Sequence, residues 1–177
     1  MEAVRFVVDT LLWLLTLAFV LRLLFQWVRA NFRDPLADAI VRVSNWLVLP
    51  LRRILPPIGK LDTATAVAVL LIALAHSAAL LLLGGFGFGI GALPYLLRST
   101  VVGLLDLVLR IYLFAMLLYW ITSVVASGTQ VPGTLLLAQL CEPILKRVRR
   151  VIPPIGQMDF SMLWASIAIG ALLILLR

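Results

Sequence analysis

Asp106 and Arg110 stand four residues apart inside an otherwise apolar run, so on a helix they share a face. Together they could open a polar path for ions or protons, or close on each other as a pair that neutralises itself and fixes helix rotation. Charges at such a depth are costly, which by default suggests a functional site facing a bundle interior, but the structural pair is the preferred reading. His76 and Cys141 are the sole residues of their types. A histidine in a span can relay protons, yet a hydrogen-bonded packing residue is the simpler role. Cys141 has no neighbouring His and no second Cys, which supports neither a thiol nucleophile nor a metal site and excludes a disulfide scaffold. Arg22 is expected to snorkel to headgroups, and Asp9 to meet Arg5 or water. The chain shows no Ser-His-Asp set, phosphate loop or paired carboxylates. The glycines of the segment 84–91 (GGFGFGIG) lack the strand and helix of a dinucleotide site. The expectation is a protein that is not an enzyme and carries neither cofactor nor metal.

The elements that must position these residues follow from composition. Of 177 residues, 63% are hydrophobic and 13% charged, and mean hydropathy is +1.13. An ordinary soluble domain has about 45–50% apolar and about 25% charged residues, so a soluble enzyme and a disordered tail are excluded. Four stretches are read as membrane helices, for which roughly 20 apolar residues suffice. They are 6–28, which carries Asp9, Arg22 and Gln26; 64–83, with His76; 101–125, with Asp106 and Arg110; and the shorter 160–176. The first has an acidic residue near its start and no small-residue cleavage site, and is read as a retained span.

Lys and Arg number 15 against 8 Asp and Glu, for a net charge of +7. Ten of the fifteen cations fall in two connections: Arg29, Arg33, Arg42, Arg52, Arg53 and Lys60 in one, and Lys146, Arg147, Arg149 and Arg150 in the other. The termini and the central connection hold only Arg5, Arg98 and Arg177. The positive-inside rule therefore puts both basic connections in the cytoplasm and both termini outside.

The two connections repeat one another. RRILPPIGKLD at 52–62 and RRVIPPIGQMD at 149–159 agree at seven of eleven positions, with an offset of 97. The halves 1–92 and 93–177 are then parallel repeats, each a span, a basic connection, a PPIG turn and a second span, which disfavours an inverted-repeat transporter. Pro56-Pro57 and Pro153-Pro154 must stop a helix, Gly59 and Gly156 permit a tight reversal, and Asp62 and Asp159 precede the following span, where a carboxylate can accept its free N–H groups. Upstream, 37–48 and 144–152 read as amphipathic interfacial helices, with Pro143 in the first turn of the second.

The run LRLLFQWVRANFRDP with LVLPLRRILPPIGKLD, repeated in weaker form as LLYWITSVV and CEPILKRVRRVIPPIGQMD, resembles the YggT family of bacterial and plastid membrane proteins over nearly the whole chain. The resemblance implies a small multispanning protein of the bacterial inner membrane, hence with periplasmic termini. It also implies a role in osmotic or envelope stress, membrane organisation or assembly, and no shared catalytic reaction. The sequence departs from the family pattern: an expected Asn-Pro is Asp34-Pro35 here and Val131-Pro132 in the second half, which also lacks an equivalent of Arg29.

The fold expected is all-α, with four spans in two repeats. The function expected is non-enzymatic, through a cytoplasmic platform of Arg42, Arg52, Arg53, Lys60, Lys146, Arg147, Arg149 and Arg150 that meets anionic lipid first, then an acidic protein, and not nucleic acid. The alternative is a small channel or transporter subunit, within a homo-oligomer, using Asp106, Arg110 and His76.

Overall fold

A computed structural model describes residues 2–30, 32, 34–56, 62–85, 91–125, 133–151 and 161–176, and among these residues the chain forms six helices and no strand. The helices are α1 (Glu2–Trp27), α2 (Pro35–Ile54), α3 (Thr63–Leu83), α4 (Ala92–Val125), α5 (Thr134–Val151) and α6 (Ser161–Leu175). The expected all-α class is what the chain adopts. By length and composition α1, α3 and the Ala92–Thr122 stretch of α4 can each cross a membrane. The apolar α6 has 15 residues, about 22 Å of helix against a hydrocarbon core of about 30 Å.

Local chemistry sets the ends of these helices. Arg29, just past α1, takes φ 54°, the left-handed conformation that commonly follows a helix C-terminus. The last bond of α2 runs from the N–H of Leu55 to the carbonyl of Leu51, and Pro56 stands next, where the proline pair was expected to stop it. Asp62 precedes α3 in an extended conformation, φ −75° and ψ 93°, as a capping residue should, but its side chain makes no capping hydrogen bond. Gly84 closes α3, its N–H bonded to the carbonyl of Leu80 at 2.9 Å, and the N–H of Gly85 bonds to the carbonyl of Leu82 at 3.1 Å.

One expectation is corrected. The second basic helix begins at Thr134, not near Ile144, so Pro143 lies inside α5 rather than in its first turn. The preceding run is Leu-rich and buries Leu136, Leu140 and Cys141, and that burial carries the helix past the one hydrogen bond the proline removes. Pro50 likewise lies inside α2. Pro57, Gly59 and Lys60, the second-half turn residues Pro153, Pro154, Gly156 and Asp159, and Arg33, Pro132 and the glycine-rich 86–90 lie outside the described residues.

The chain forms two compact units, Met1–Trp27 with Ala39–Leu105, and Val28–Asp38 with Asp106–Arg177. In the first, α1 packs on α3. Phe19 and Val20 are fully buried, as are Ala64 and Ala68, whose small side chains suit close helix approach. The ring of Phe19 meets Trp46 of α2 edge to face at 6.3 Å. In the second, α5 packs on α6, with Leu140, Leu145 and Ala165 buried.

The second unit also ties the starts of α2 and α5 together through one carboxylate. Asp34 Oδ1 accepts from the N–H of Leu36 at 3.0 Å, and Oδ2 accepts from the N–H of Gly133 at 2.9 Å. Both helix N-termini present unpaired N–H groups and a positive dipole end, so a single anion serves both. Gly133 is required there. It takes φ +88°, and a Cβ on it would stand 3.1 Å from Cδ1 of Leu36. Gly133→Ala is expected to lower stability by about 1–3 kcal/mol, read as an earlier thermal transition of the purified protein. Adding Leu36→Ala should recover only the steric part.

Candidate functional site

Three helices of the first unit converge on a polar junction. Arg22 and Gln26 are four apart on α1 and so project from one face. Arg22 is only 2% exposed, and Nη1 donates to Ser44 Oγ at 2.7 Å, Asn45 Oδ1 at 2.9 Å and the carbonyl of Val41 at 3.3 Å, all on α2. Ser44 accepts this bond while donating its own proton to the carbonyl of Ile40 at 2.6 Å. The expectation of an arginine snorkelling to headgroups is thus overturned: Arg22 turns inward because α2 offers three acceptors to its Nη1, which hydrocarbon could not.

The second half of the junction is Asp62. Its Oδ2 accepts from Arg52 Nε of α2 at 2.9 Å and also from Nη2, from Gln26 Nε2 of α1 at 3.2 Å, and from Thr65 Oγ1 of α3 at 2.8 Å. Burial alone pushes the Asp62 carboxyl up, but the bonds from Arg52 and Thr65 and the Arg52 charge outweigh it and hold it below the ordinary carboxylate range. Arg22 Nε, Gln26 Oε1 and Asp62 Oδ1 are buried without a partner among the described residues. The junction therefore keeps one donor and two acceptors in reserve, with two guanidinium charges against one carboxylate.

This junction holds α2 in a posture with three distinct faces. Ala37, Ser44 and Val48 are buried. Leu36, Val43, Pro50 and Ile54 recur at helical spacing on another face and are exposed, forming an apolar stripe. Asp38, Arg42, Asn45, Arg52 and Arg53 occupy the remaining side, together with the exposed Trp46 and Leu49.

The platform cations are accordingly unequal. Arg52 and Arg53 are both exposed, but Arg52 is paired with Asp62 in the junction. On α5, Glu142 lies 3.6 Å from Lys146 and 3.8 Å from Arg149. Arg147 and Arg150 are exposed and, like Arg53, form no ion pair among the described residues. Arg42 is exposed as well.

Each intramembrane candidate has a close partner. His76 Nε2 is 2.7 Å from Asp9 Oδ1, so Asp9 meets the histidine rather than Arg5. Arg110 donates from Nε to Asp106 Oδ2 at 2.5 Å and from Nη2 to Oδ1 at 3.0 Å, closing the pair read from the sequence. Cys141 is buried, and burial pushes its thiol up to about 11, so it is a poor nucleophile at neutral pH. Among the described residues, no group of three His, Cys, Asp or Glu could hold a metal ion.

Sequence reasoning missed Gln26, Ser44, Asn45, Thr65 and the inward role of Arg22. The available signal was Arg22 and Gln26 at helical spacing near the end of a span, with Asp62 before the next one.

Known proteins match the chain over most of its length. The family model described as CCB3/YggT matches residues 1–83 and 98–177. The chain is 40% identical over 167 residues to the uncharacterized protein PA0392 of Pseudomonas aeruginosa, covering 94% of this chain and 84% of that protein. It is 29% identical to the uncharacterized protein YggT of Escherichia coli K12, covering 91% and 82%. A protein encoded in the proC 3' region of Vibrio alginolyticus is 31% identical, covering 92% and 87%. No solved structure matches the chain.

Proposed function

The chain belongs to the CCB3/YggT family, and from that premise we propose that it organises or assembles components at the inner membrane, without catalysis, through α2 and α5 lying on the cytoplasmic surface. In this reading α6 is the fourth span, both basic connections face the cytoplasm, both termini are periplasmic, and the halves are parallel repeats. The family match in two segments supports the repeat, as does the recurring order of a long apolar helix, a helix ending in paired arginines and a further apolar helix. The process served is the response to envelope or osmotic stress.

The observation that carries the proposal is the posture of α2. A helix with one side packed, one apolar side exposed and one cationic side suits the membrane interface, where the apolar stripe enters the acyl boundary and the cations meet headgroups. Anionic lipid is the first ligand, and an acidic protein docking on the same arginines is the second. The cations free for this are Arg53, Arg147 and Arg150, each worth about 1 kcal/mol at an anionic surface.

Replacing these three with Gln leaves the Asp62 junction intact. In vesicles containing phosphatidylglycerol, the native protein is expected to show slower amide exchange over α2 and α5 than in phosphatidylcholine, and the triple variant to lose that difference. Partner recovery from native membranes and stress tolerance should fall with it. A variant unchanged in all three readouts overturns the platform.

A further inference from the structure

The ion pair on α4 points outward at the middle of a membrane-crossing stretch. Asp106 and Arg110 lie near the centre of Ala92–Thr122, and their side chains remain 30% and 50% exposed. The intrachain bonds use Arg110 Nε and Nη2, while Nη1 has no partner among the described residues. Each Asp106 oxygen accepts one bond and can accept another. Acyl chains can satisfy neither group, so this turn of α4 is costly to leave against lipid.

We propose that α4 is a self-association face, on which a second copy of this chain docks so that the two Asp106–Arg110 pairs interlock. Copies inserted in the same orientation meet with parallel helices about a two-fold axis along the membrane normal, so the same turn faces itself. Helical side chains lean toward the N-terminus, and Arg110 reaches back to the level of Asp106, as its bonds show. Two-fold symmetry then sets carboxylates and guanidinium groups alternately at one depth, and Nη1 of each Arg110 meets the other copy's carboxylate. The pair carries opposite charges side by side, so it complements a second copy of itself; a like-charged cluster would repel one.

The same face allows the approach this requires. Gly103 lies three residues before Asp106 and Ser99 one turn before Gly103, and the four residues fall on one side of the helix at i, i+4, i+7 and i+11. A Cβ on Gly103 would meet nothing within 4 Å, so its backbone lies open to a partner helix. Ser99 Oγ is satisfied by the carbonyl of Leu96 at 3.0 Å and adds a second small residue to the contact. The inference depends on α4 crossing the bilayer and not on the basic platform, so either can fail without the other.

Gly103→Ile provides the test, because it adds bulk where the single chain has space and leaves the ion pair in place. Full-length chains carrying donor or acceptor dyes at the N-terminus are mixed in phosphatidylcholine vesicles, a lipid that removes the platform's anionic ligand, and energy transfer is followed as protein is diluted. The wild type should transfer energy well above the level set by random encounter. Gly103→Ile should need at least about tenfold higher protein density for the same transfer, the effect of losing a helix contact of ordinary strength, with unchanged helix content. Asp106→Asn should weaken association in the same direction. Random-encounter transfer in the wild type, or a wild-type curve for Gly103→Ile, overturns the proposal. So does photocrosslinking from Phe114, exposed one turn beyond Arg110 on the same side of α4, that captures a different protein in native membranes in place of a second copy.

Discussion

Arg22→Ala is expected to free α2 from the first unit while leaving α1 and α3 packed. The substitution removes the single donor group that Ser44, Asn45 and the Val41 carbonyl share, and leaves the space of a long side chain that was almost wholly enclosed. A buried polar group left without its partner costs about 1–3 kcal/mol, and the space left behind adds to that, for a combined loss of roughly 3–5 kcal/mol. Arg22→Lys should recover only part of it, since an ammonium is a compact charge without the planar fork of a guanidinium. The measurement is amide hydrogen exchange of the purified protein in lipid nanodiscs. Protection over 39–54 should collapse toward that of an unanchored surface helix, while protection over α1 and α3 falls much less. Arg53→Ala, at an exposed position of the same helix, should leave the pattern unchanged. Wild-type protection of α2 in Arg22→Ala would show that the helix is held by its apolar contacts with the bundle, such as the edge-to-face contact of Trp46 with Phe19, and not by the guanidinium.

What the sequence disclosed and what it withheld divide along the range of the forces involved. The apolar runs that became α1, α3 and α4 were legible because bilayer length and hydropathy are summed over contiguous residues. The Asp106–Arg110 pair was legible for the same reason, since four residues on a helix fix the geometry without reference to anything else. The stop of α2 before Pro56 came from the backbone chemistry of proline alone. Arg22 was misread because its choice between headgroups and protein depends on Ser44 and Asn45, 22 and 23 residues away. His76 and Asp9 are 67 residues apart, and Asp34 and Gly133 are 99 apart, so no local pattern joins them. Asp62 falls between these cases. Its position before a span was read correctly, but the side chain serves Arg52, Gln26 and Thr65 in place of the helix N–H groups, an outcome that only packing decides. The start of α5 was placed too late because Pro143 was weighed as a local signal, while the burial of Leu136 and Leu140 upstream of it is a tertiary one.

Asp62→Asn is expected to weaken the junction at neutral pH and to become indistinguishable from the wild type in acid. The carboxylate collects donors from α1, α2 and α3 on one oxygen, and an isosteric amide keeps the shape but loses the charge and turns a competing donor toward Arg52 or Gln26. The expected loss at pH 7 is about 1–3 kcal/mol, the cost of leaving the donors around a half-buried carboxylate without their charged acceptor, since Asp62 is enclosed but Arg52 remains 45% exposed to solvent. The pH dependence has a definite sign. The Asp62 carboxyl is held below its ordinary value in the folded protein, so its contribution is fully present above the unfolded carboxyl pKa of about 3.9 and is lost as pH falls through the lower, folded value. Thermal unfolding in nanodiscs should therefore show a constant gap between wild type and Asp62→Asn from pH 7 down to about pH 5, closing below about pH 4. Arg52→Gln should reproduce much of the loss, and the double variant should fall well short of the sum, because the two substitutions break the same contact. Full additivity would mean that Arg52 and Asp62 act separately, and a gap that persists in acid would trace the loss to packing around the side chain and not to its charge.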